Sequence, residues 1–197
     1  MSLMTLDNYK MFWQENPHWC PVNIGPGEAT WCEKMGAQRN NNGKKQGWTS
    51  KTADAENKWH AAGVAGELAV WLLYGSVARV NLIYTEDYNK LNATNDNGSH
   101  IETKSCREPD PQFWNLVVNQ DQLKEEKYYV NVIVCLFPSL LFITGFELGE
   151  VIKRKARVSK NKKAGHPIYI YPRNQLQPPM KLWPVLYPGL NWNGGRP

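Results

Sequence analysis

The stretch "HIETKSC", His100 to Cys106, decides how the rest of the chain is read. In an extended segment alternate side chains share a face, so His100, Glu102, Lys104 and Cys106 point one way and Ile101, Thr103 and Ser105 the other. Ile101 alone is a weak inward anchor, so the pattern is not that of a solvated strand with an apolar back. It sets a carboxylate beside an ammonium on one face. Just upstream, "NDNG" (Asn95 to Gly98) is a strong turn signal that brings Asp96 near the start of the strand. Two readings stand open: a surface ion pair behind an ordinary turn, or the mouth of a metal site.

Before this strand a helix is expected from about Ala53 to Tyr74, with Thr52 as its cap. Ala61, Val64, Ala65, Leu68, Trp71 and Leu72 recur at three- and four-residue spacing and form an apolar face, and Gly75 ends it. Within "AAGVAGELAVWLLY" the only charge is Glu67, beside the apolar stripe. Such an acid is costly to bury unless paired or coordinating, although it could equally lie at the solvent edge. Gly63 and Gly66 beside it would let another backbone approach closely.

Strand-like runs follow the helix: "ARVNLIY", "HIETKSC", "FWNLVVN", "YYVNVIVCLF" and "LLFITGFEL", with Pro138 and Ser139 closing a tight connection between the last two. Those two are nearly continuous apolar runs, as suits strands covered on both faces. "QDQLKEEK" is polar and short enough for a small helix. A strand-like "PIYIYP" and a proline-rich tail come last. The economical architecture is a mixed α/β sandwich with a single central sheet. Residues 1–50 read as a Trp-rich, irregular N-terminal extension packed on the core, residues 51–150 as the core, and residues 151–197 as a basic and Pro-rich C-terminal extension of the same domain.

Composition sets the outer limits. A chain of 197 residues, 42% hydrophobic and 21% charged, matches an ordinary globular domain. No apolar run approaches the roughly 20 residues that span a bilayer, and the N-terminus lacks the basic-then-apolar signature of a signal peptide. The expectation is a cytoplasmic protein with four reduced cysteines, Cys20, Cys32, Cys106 and Cys135. A zinc site from His18, Cys20 and Cys32 has no Cys-x-x-Cys knuckle and no obvious fourth ligand. Gly-rich phosphate loops are absent, and no organic cofactor is expected.

The charge is unevenly distributed. "KRKARVSKNKK" holds Lys153, Arg154, Lys155, Arg157, Lys160, Lys162 and Lys163 with no acid. These are seven of the chain's 23 Lys and Arg residues, and the other 16 face 18 Asp and Glu. A concentrated basic segment on a near-neutral body suits a polyanion, because each neutralised phosphate releases counterions. The alternative is a solvated loop.

The combination of "GVAGELAVWLLYG", Asp96, "IETKS" and paired apolar strands resembles the PD-(D/E)XK nuclease superfamily, over about residues 53 to 150. The resemblance implies a restriction-endonuclease-like α/β fold, a mixed central sheet flanked by helices. It also implies a metal-dependent DNA endonuclease of bacterial or phage-infected cytoplasm, using Mg²⁺ with Mn²⁺ as a substitute and DNA as partner, and allows a homodimer. Carried over residue by residue, Asp96 and Glu102 hold the metal, Glu67 adds the helix carboxylate, and Lys104 positions the nucleophile. Arg107 would help at the site. Gln120 and Gln122 would stand near it, as a glutamine does in some branches. Asn95 stands where the name-giving proline would be, only five residues separate Asp96 from Glu102, and Asp87 is the alternative first acid. The rival reading is a catalytically inactive nucleic-acid-binding or structural protein on the same scaffold.

Overall fold

The computed structural model describes residues 14–45, 53–75, 100–107, 113–136, 140–160 and 167–188. Its chain order is β1 (Cys20–Asn23), α1 (Pro26–Lys45), α2 (Ala53–Tyr74), β2 (Ile101–Cys106), β3 (Leu116–Asn119), β4 (Tyr128–Leu136), β5 (Leu140–Leu148), α3 (Gly149–Lys155), β6 (Arg157–Lys160), β7 (Pro167–Tyr171) and α4 (Trp183–Leu186). Short 3-10 turns lie at Gln120–Gln122, Arg173–Gln175 and Pro179–Leu182.

The long helix forms over the expected residues, although Trp71 and Leu72 of its expected apolar face are exposed, and Gly75 leaves it with φ of 68°, a left-handed conformation that glycine adopts without steric cost. Ala62, Val64, Ala65, Leu68, Ala69 and Val70 bury one face against Ile101 of β2, Val130, Val132 and Val134 of β4, and Leu141 and Ile143 of β5. Small residues let the layers close tightly. A Cβ on Gly36 of α1 would fall 2.6 Å from Ala61 Cα of α2.

The strands form two sheets. The larger runs β1-β5-β4-β2, with β2 parallel to β4 and the other pairs antiparallel. The smaller is antiparallel, in the order β3-β7-β6. A parallel pair cannot be joined by a tight hairpin. The chain therefore leaves the larger sheet after β2, builds β3 in the smaller one, and returns through the 120–122 turn to β4.

Helices α1 and α2 lie on one side of the larger sheet, and the smaller sheet lies on the other. Between the sheets Tyr129 packs with Leu116, Val118, Ile152, Tyr169, Tyr171 and Leu176. Trp19 joins Trp114, Ile133 and Phe142 in a separate cluster on that side.

Several expectations change. A mixed α/β architecture holds, but with two sheets rather than a single central one, because "FWNLVVN" contributes four strand residues that pair with β7 and not with the main sheet. The N-terminal segment is not irregular. Residues 20–23 pair with β5, and residues 26–45 form a 20-residue helix with Pro26 at its first position and the Gly25 carbonyl accepting from Ala29 N at 2.9 Å. The basic segment is not a loop over its described part, since it spans α3 and β6. Of "QDQLKEEK" only residues 120–122 are helical, as a 3-10 turn.

Thr52, the strand expected over 78–84, Asp87, Asp96, Pro138, Ser139, Lys162 and Lys163 lie outside the described residues. No helix among the described residues is long and apolar enough to cross a membrane.

Candidate functional site

Among the described residues strand β2 is the edge of the larger sheet, and its two faces have different neighbours. Gly66 of α2 lies so close that a Cβ there would overlap Ser105 Oγ and come within 3.5 Å of Thr103 Cγ2. Thr103 and Ser105 therefore face the helix. Glu102 and Lys104, one residue out of phase, share the opposite face, as the alternation predicts.

There the two side chains form an ion pair, with 14% of the glutamate side chain and 23% of the lysine side chain exposed. The pair is thus shielded but still reachable from solvent. Parallel pairing sets Glu102 opposite Tyr129 of β4. Lys104 Nζ stands 6.0 Å from the centroid of the Tyr129 ring, where the ring's negative face attracts a cation. Tyr129 is fully buried, and its hydroxyl donates to Gln122 O at 3.2 Å while accepting from Lys124 N at 2.8 Å. The ring beneath the ammonium is therefore fixed at its far end.

Glu67 makes a different contact. Arg39 of α1 donates Nη1 to Oε1 at 2.8 Å and Nη2 to Oε2 at 2.5 Å, a two-pronged pair in which the arginine side chain is 5% exposed and the glutamate 17%. The helix carboxylate thus faces α1, with both oxygens engaged. The structure joins Glu102 to Lys104 and joins Glu67 to Arg39. Asp96 belongs to a segment outside the described residues. Among the described residues no group of three or more His, Cys, Asp or Glu is arranged to hold a metal ion.

The remaining expected residues are distributed as follows. Arg107 directly follows β2 and is partly buried. Gln120 donates Nε2 to the Tyr169 hydroxyl at 3.2 Å, and Gln122 accepts from Asn119 Nδ2 at 3.3 Å, so both are engaged beside the smaller sheet. His100 is exposed, and its carbonyl accepts from Tyr128 N at 2.8 Å. Cys32 is fully buried, and that burial pushes its thiol up to about 12, against the pull of Arg39.

Of the basic segment, Lys153, Arg154 and Lys155 are exposed on α3, and Arg157 and Lys160 on β6. Lys153 pairs with Glu125, and the hydrogen bond to that carboxylate raises its ammonium above the usual lysine value. Arg154, Lys155, Arg157 and Lys160 carry the outward charge.

Two partners escape a reading of the sequence. Arg39 lies 28 residues before Glu67, in a segment whose glycines and asparagines conceal a helix. Glu147 is the acid inside "LLFITGFEL". It is 4% exposed, accepts from the Tyr171 hydroxyl and Gln177 Nε2 at 3.1 Å each, and stands opposite Tyr129 on β5. The row Glu102, Tyr129, Glu147 thus crosses three strands on one face. A lone acid in an apolar run was the available signal for Glu147, and it marks a polar tie between the two sheets.

The chain matches no family model, and neither a curated protein nor a solved structure matches it.

Proposed function

We propose that the chain is a divalent-cation-dependent deoxyribonuclease, an endonuclease that hydrolyses phosphodiester bonds at Glu102 and Lys104. The observation behind this reading is the Glu102–Lys104 pair itself, held on one face of an edge strand, braced by the Tyr129 ring and still partly open to solvent. Among the described residues no strand lies beyond β2, which leaves room for an extended phosphate backbone to come alongside.

The chemistry of the donor set is compatible with Mg²⁺ or Mn²⁺, which favour oxygen ligands and retain several waters. Glu102 offers one carboxylate, and Asp96 from the segment outside the described residues would be the second ligand. Glu67 would join them only by releasing Arg39. A bound divalent ion would supply polarisation of the phosphodiester and a lowered pKa for its water. Lys104 would donate a hydrogen bond to the attacking water or to a non-bridging phosphate oxygen, offsetting the charge that develops there. Glu102 would leave Lys104 for the ion, so one carboxylate is shared between two cations in turn. The exposed cations of α3 and β6 would bind flanking phosphates.

A second reading has its own support. Both oxygens of Glu67 are occupied by Arg39, which is how a purely structural ion pair looks. The chain would then bind nucleic acid through the same basic surface without cutting it. Cleavage of supercoiled and linear DNA with Mg²⁺ or Mn²⁺ separates the two, comparing wild type with Glu102→Ala and Lys104→Ala. The nuclease reading requires cutting by wild type that falls at least about a hundredfold in both variants. Binding without cutting would leave the second reading.

A further inference from the structure

Past the C-terminal end of β2 a large apolar side chain stands in solvent. Phe113 is 52% exposed, whereas its neighbour Trp114 is 1% exposed and packs with Trp19, Ile133 and Phe142. A single exposed apolar residue is ordinary on a protein surface. This one is set apart by how its backbone is fastened.

Two hydrogen bonds hold the segment over the face of the sheet that carries Glu102 and Lys104. The Cys106 thiol donates to Phe113 O at 3.4 Å, and Cys106 shares the face of Lys104, two residues along β2. Asn131 Nδ2 donates to Trp114 O at 3.1 Å, and Asn131 is the residue of β4 paired with Lys104. Asn131 is buried, and its amide also donates to Thr144 Oγ1 at 2.9 Å, so this anchor is itself fixed. Lys104 and Cys106 are about 7 Å apart along the strand. A stacked nucleic-acid strand advances about 3.4 Å per nucleotide. Phe113 therefore stands within a few nucleotides of any phosphate held at Lys104.

We propose that Phe113 is a stacking platform for an unpaired nucleobase, and that the strand taken at the Glu102–Lys104 pair is single-stranded DNA. The inference rests on the reading of that pair as a site for a phosphodiester backbone. An aromatic face stacks on any base without regard to sequence, whereas the bases of a duplex are already occupied by their own stack and pairing. The pair is also recessed, with 14% of the glutamate side chain and 23% of the lysine side chain exposed. A flexible single strand can lower its backbone into such a recess more readily than a stiff duplex can. Arg173 brings a cation to the same segment, its guanidinium 5.5 Å from the centroid of the Trp114 ring. Aromatic rings set among cations are the usual make-up of surfaces that bind single strands.

The test is fluorescence anisotropy in EDTA, where no metal-dependent cutting occurs. Three labelled probes of equal length are compared: a single strand, its duplex, and a strand of abasic sites that keeps the phosphates. The proteins are wild type, Phe113→Ala, Phe113→Tyr and Val185→Ala, the last removing an exposed apolar side chain of α4. Melting curves confirm folding, and Phe113→Tyr keeps the ring. Wild type is expected to prefer the single strand. Phe113→Ala should weaken that binding about tenfold, with Phe113→Tyr and Val185→Ala binding as wild type does. On the abasic strand Phe113→Ala and wild type should bind alike. Unchanged binding of the single strand by Phe113→Ala, an equal loss on the abasic strand, an equal loss in Phe113→Tyr or Val185→Ala, or preference of wild type for duplex would each overturn the proposal. So would no binding by wild type. Duplex cutting in Mg²⁺ alongside any of these results would leave the nuclease reading standing. The expected binding pattern without any cutting in Mg²⁺ would remove the nuclease reading alone.

Discussion

Gly66 of α2 rests directly on Ser105 of β2, leaving no room for even a methyl group between helix and strand. That contact fixes which face of β2 meets the helix, and so directs Glu102 and Lys104 to the other. Gly66→Ala gains about 1 kcal/mol of helix propensity but must displace the Ser105 hydroxyl and sit 3.1 Å from Ser105 Cβ, an overpacking cost of about 1–3 kcal/mol. A net loss of about 1 kcal/mol is expected in urea unfolding. The Ser105 hydroxyl is buried without a hydrogen-bond partner among the described residues, so Ser105→Ala alone should cost little and should relieve the Gly66→Ala penalty. Additive effects of the two substitutions would contradict this packing. Gly36→Ala should be worse than either, because its new methyl meets Ala61 backbone, which cannot rotate away.

Arg39 and Glu67 test whether the helix carboxylate is structural. Removing one partner of a shielded ion pair strands the other, so Arg39→Ala should lower stability by about 3 kcal/mol, and Arg39→Ala with Glu67→Ala should cost less than the sum. If Glu67 is also a metal ligand, Glu67→Gln will reduce cleavage more than it reduces stability. If it only braces α1 against α2, cleavage by the folded fraction will be unchanged.

Alkali should unfold the protein through buried protonated groups. Burial raises the Cys32 thiol from 9.0 to about 12, and burial with the adjacent Glu147 raises the Tyr171 hydroxyl from 10.0 to about 12. Both stay protonated in the folded chain where the unfolded chain has already lost the proton. Their contribution is therefore fully present below about pH 9 and declines as pH rises towards 12. Tyr171→Phe should flatten part of that decline while losing the hydrogen bond to Glu147. An identical pH profile for variant and wild type, followed by chemical denaturation, would speak against a buried neutral tyrosine.

Salt dependence reports which cations touch phosphate. Each phosphate contact contributes about 0.9 to the slope of log affinity against log salt. Arg154→Ala with Lys155→Ala should reduce the slope by about 2, whereas Lys153→Ala should change it less, because Lys153 already pairs with Glu125. An unchanged slope in the double variant would make α3 a solvated surface.

Much of the local structure was legible, and what was not depends on distant partners. The Ala53–Tyr74 helix carries its own stripe and its own terminating glycine, and the alternation in "IETKSC" correctly assigned both faces of β2. Helix α1 was concealed because "GAQRNNNGKK" is poor in helix-forming side chains. It is held by contact with α2 at Gly36 and Ala61, information that lies elsewhere in the chain. A strand of four residues shows that a segment is extended but not which sheet it joins, so β3 reads as part of a single sheet, whereas it pairs with β7 from the C-terminal extension. The ion pair of Glu67 was illegible for the same reason, its arginine being 28 residues away. At α3 the buried Ile152 anchors a helix within a run of exposed cations, and charge density masked that single apolar residue.

The central claim is that Glu102 is a cation ligand that Lys104 occupies until a divalent ion arrives. Calorimetric titration of Mn²⁺ into wild type, Glu102→Ala and Lys104→Ala tests it most directly. The account predicts binding by wild type, loss in Glu102→Ala, and equal or tighter binding in Lys104→Ala, where the competing ammonium is gone. Binding that survives Glu102→Ala undiminished, or no binding by wild type, would contradict it.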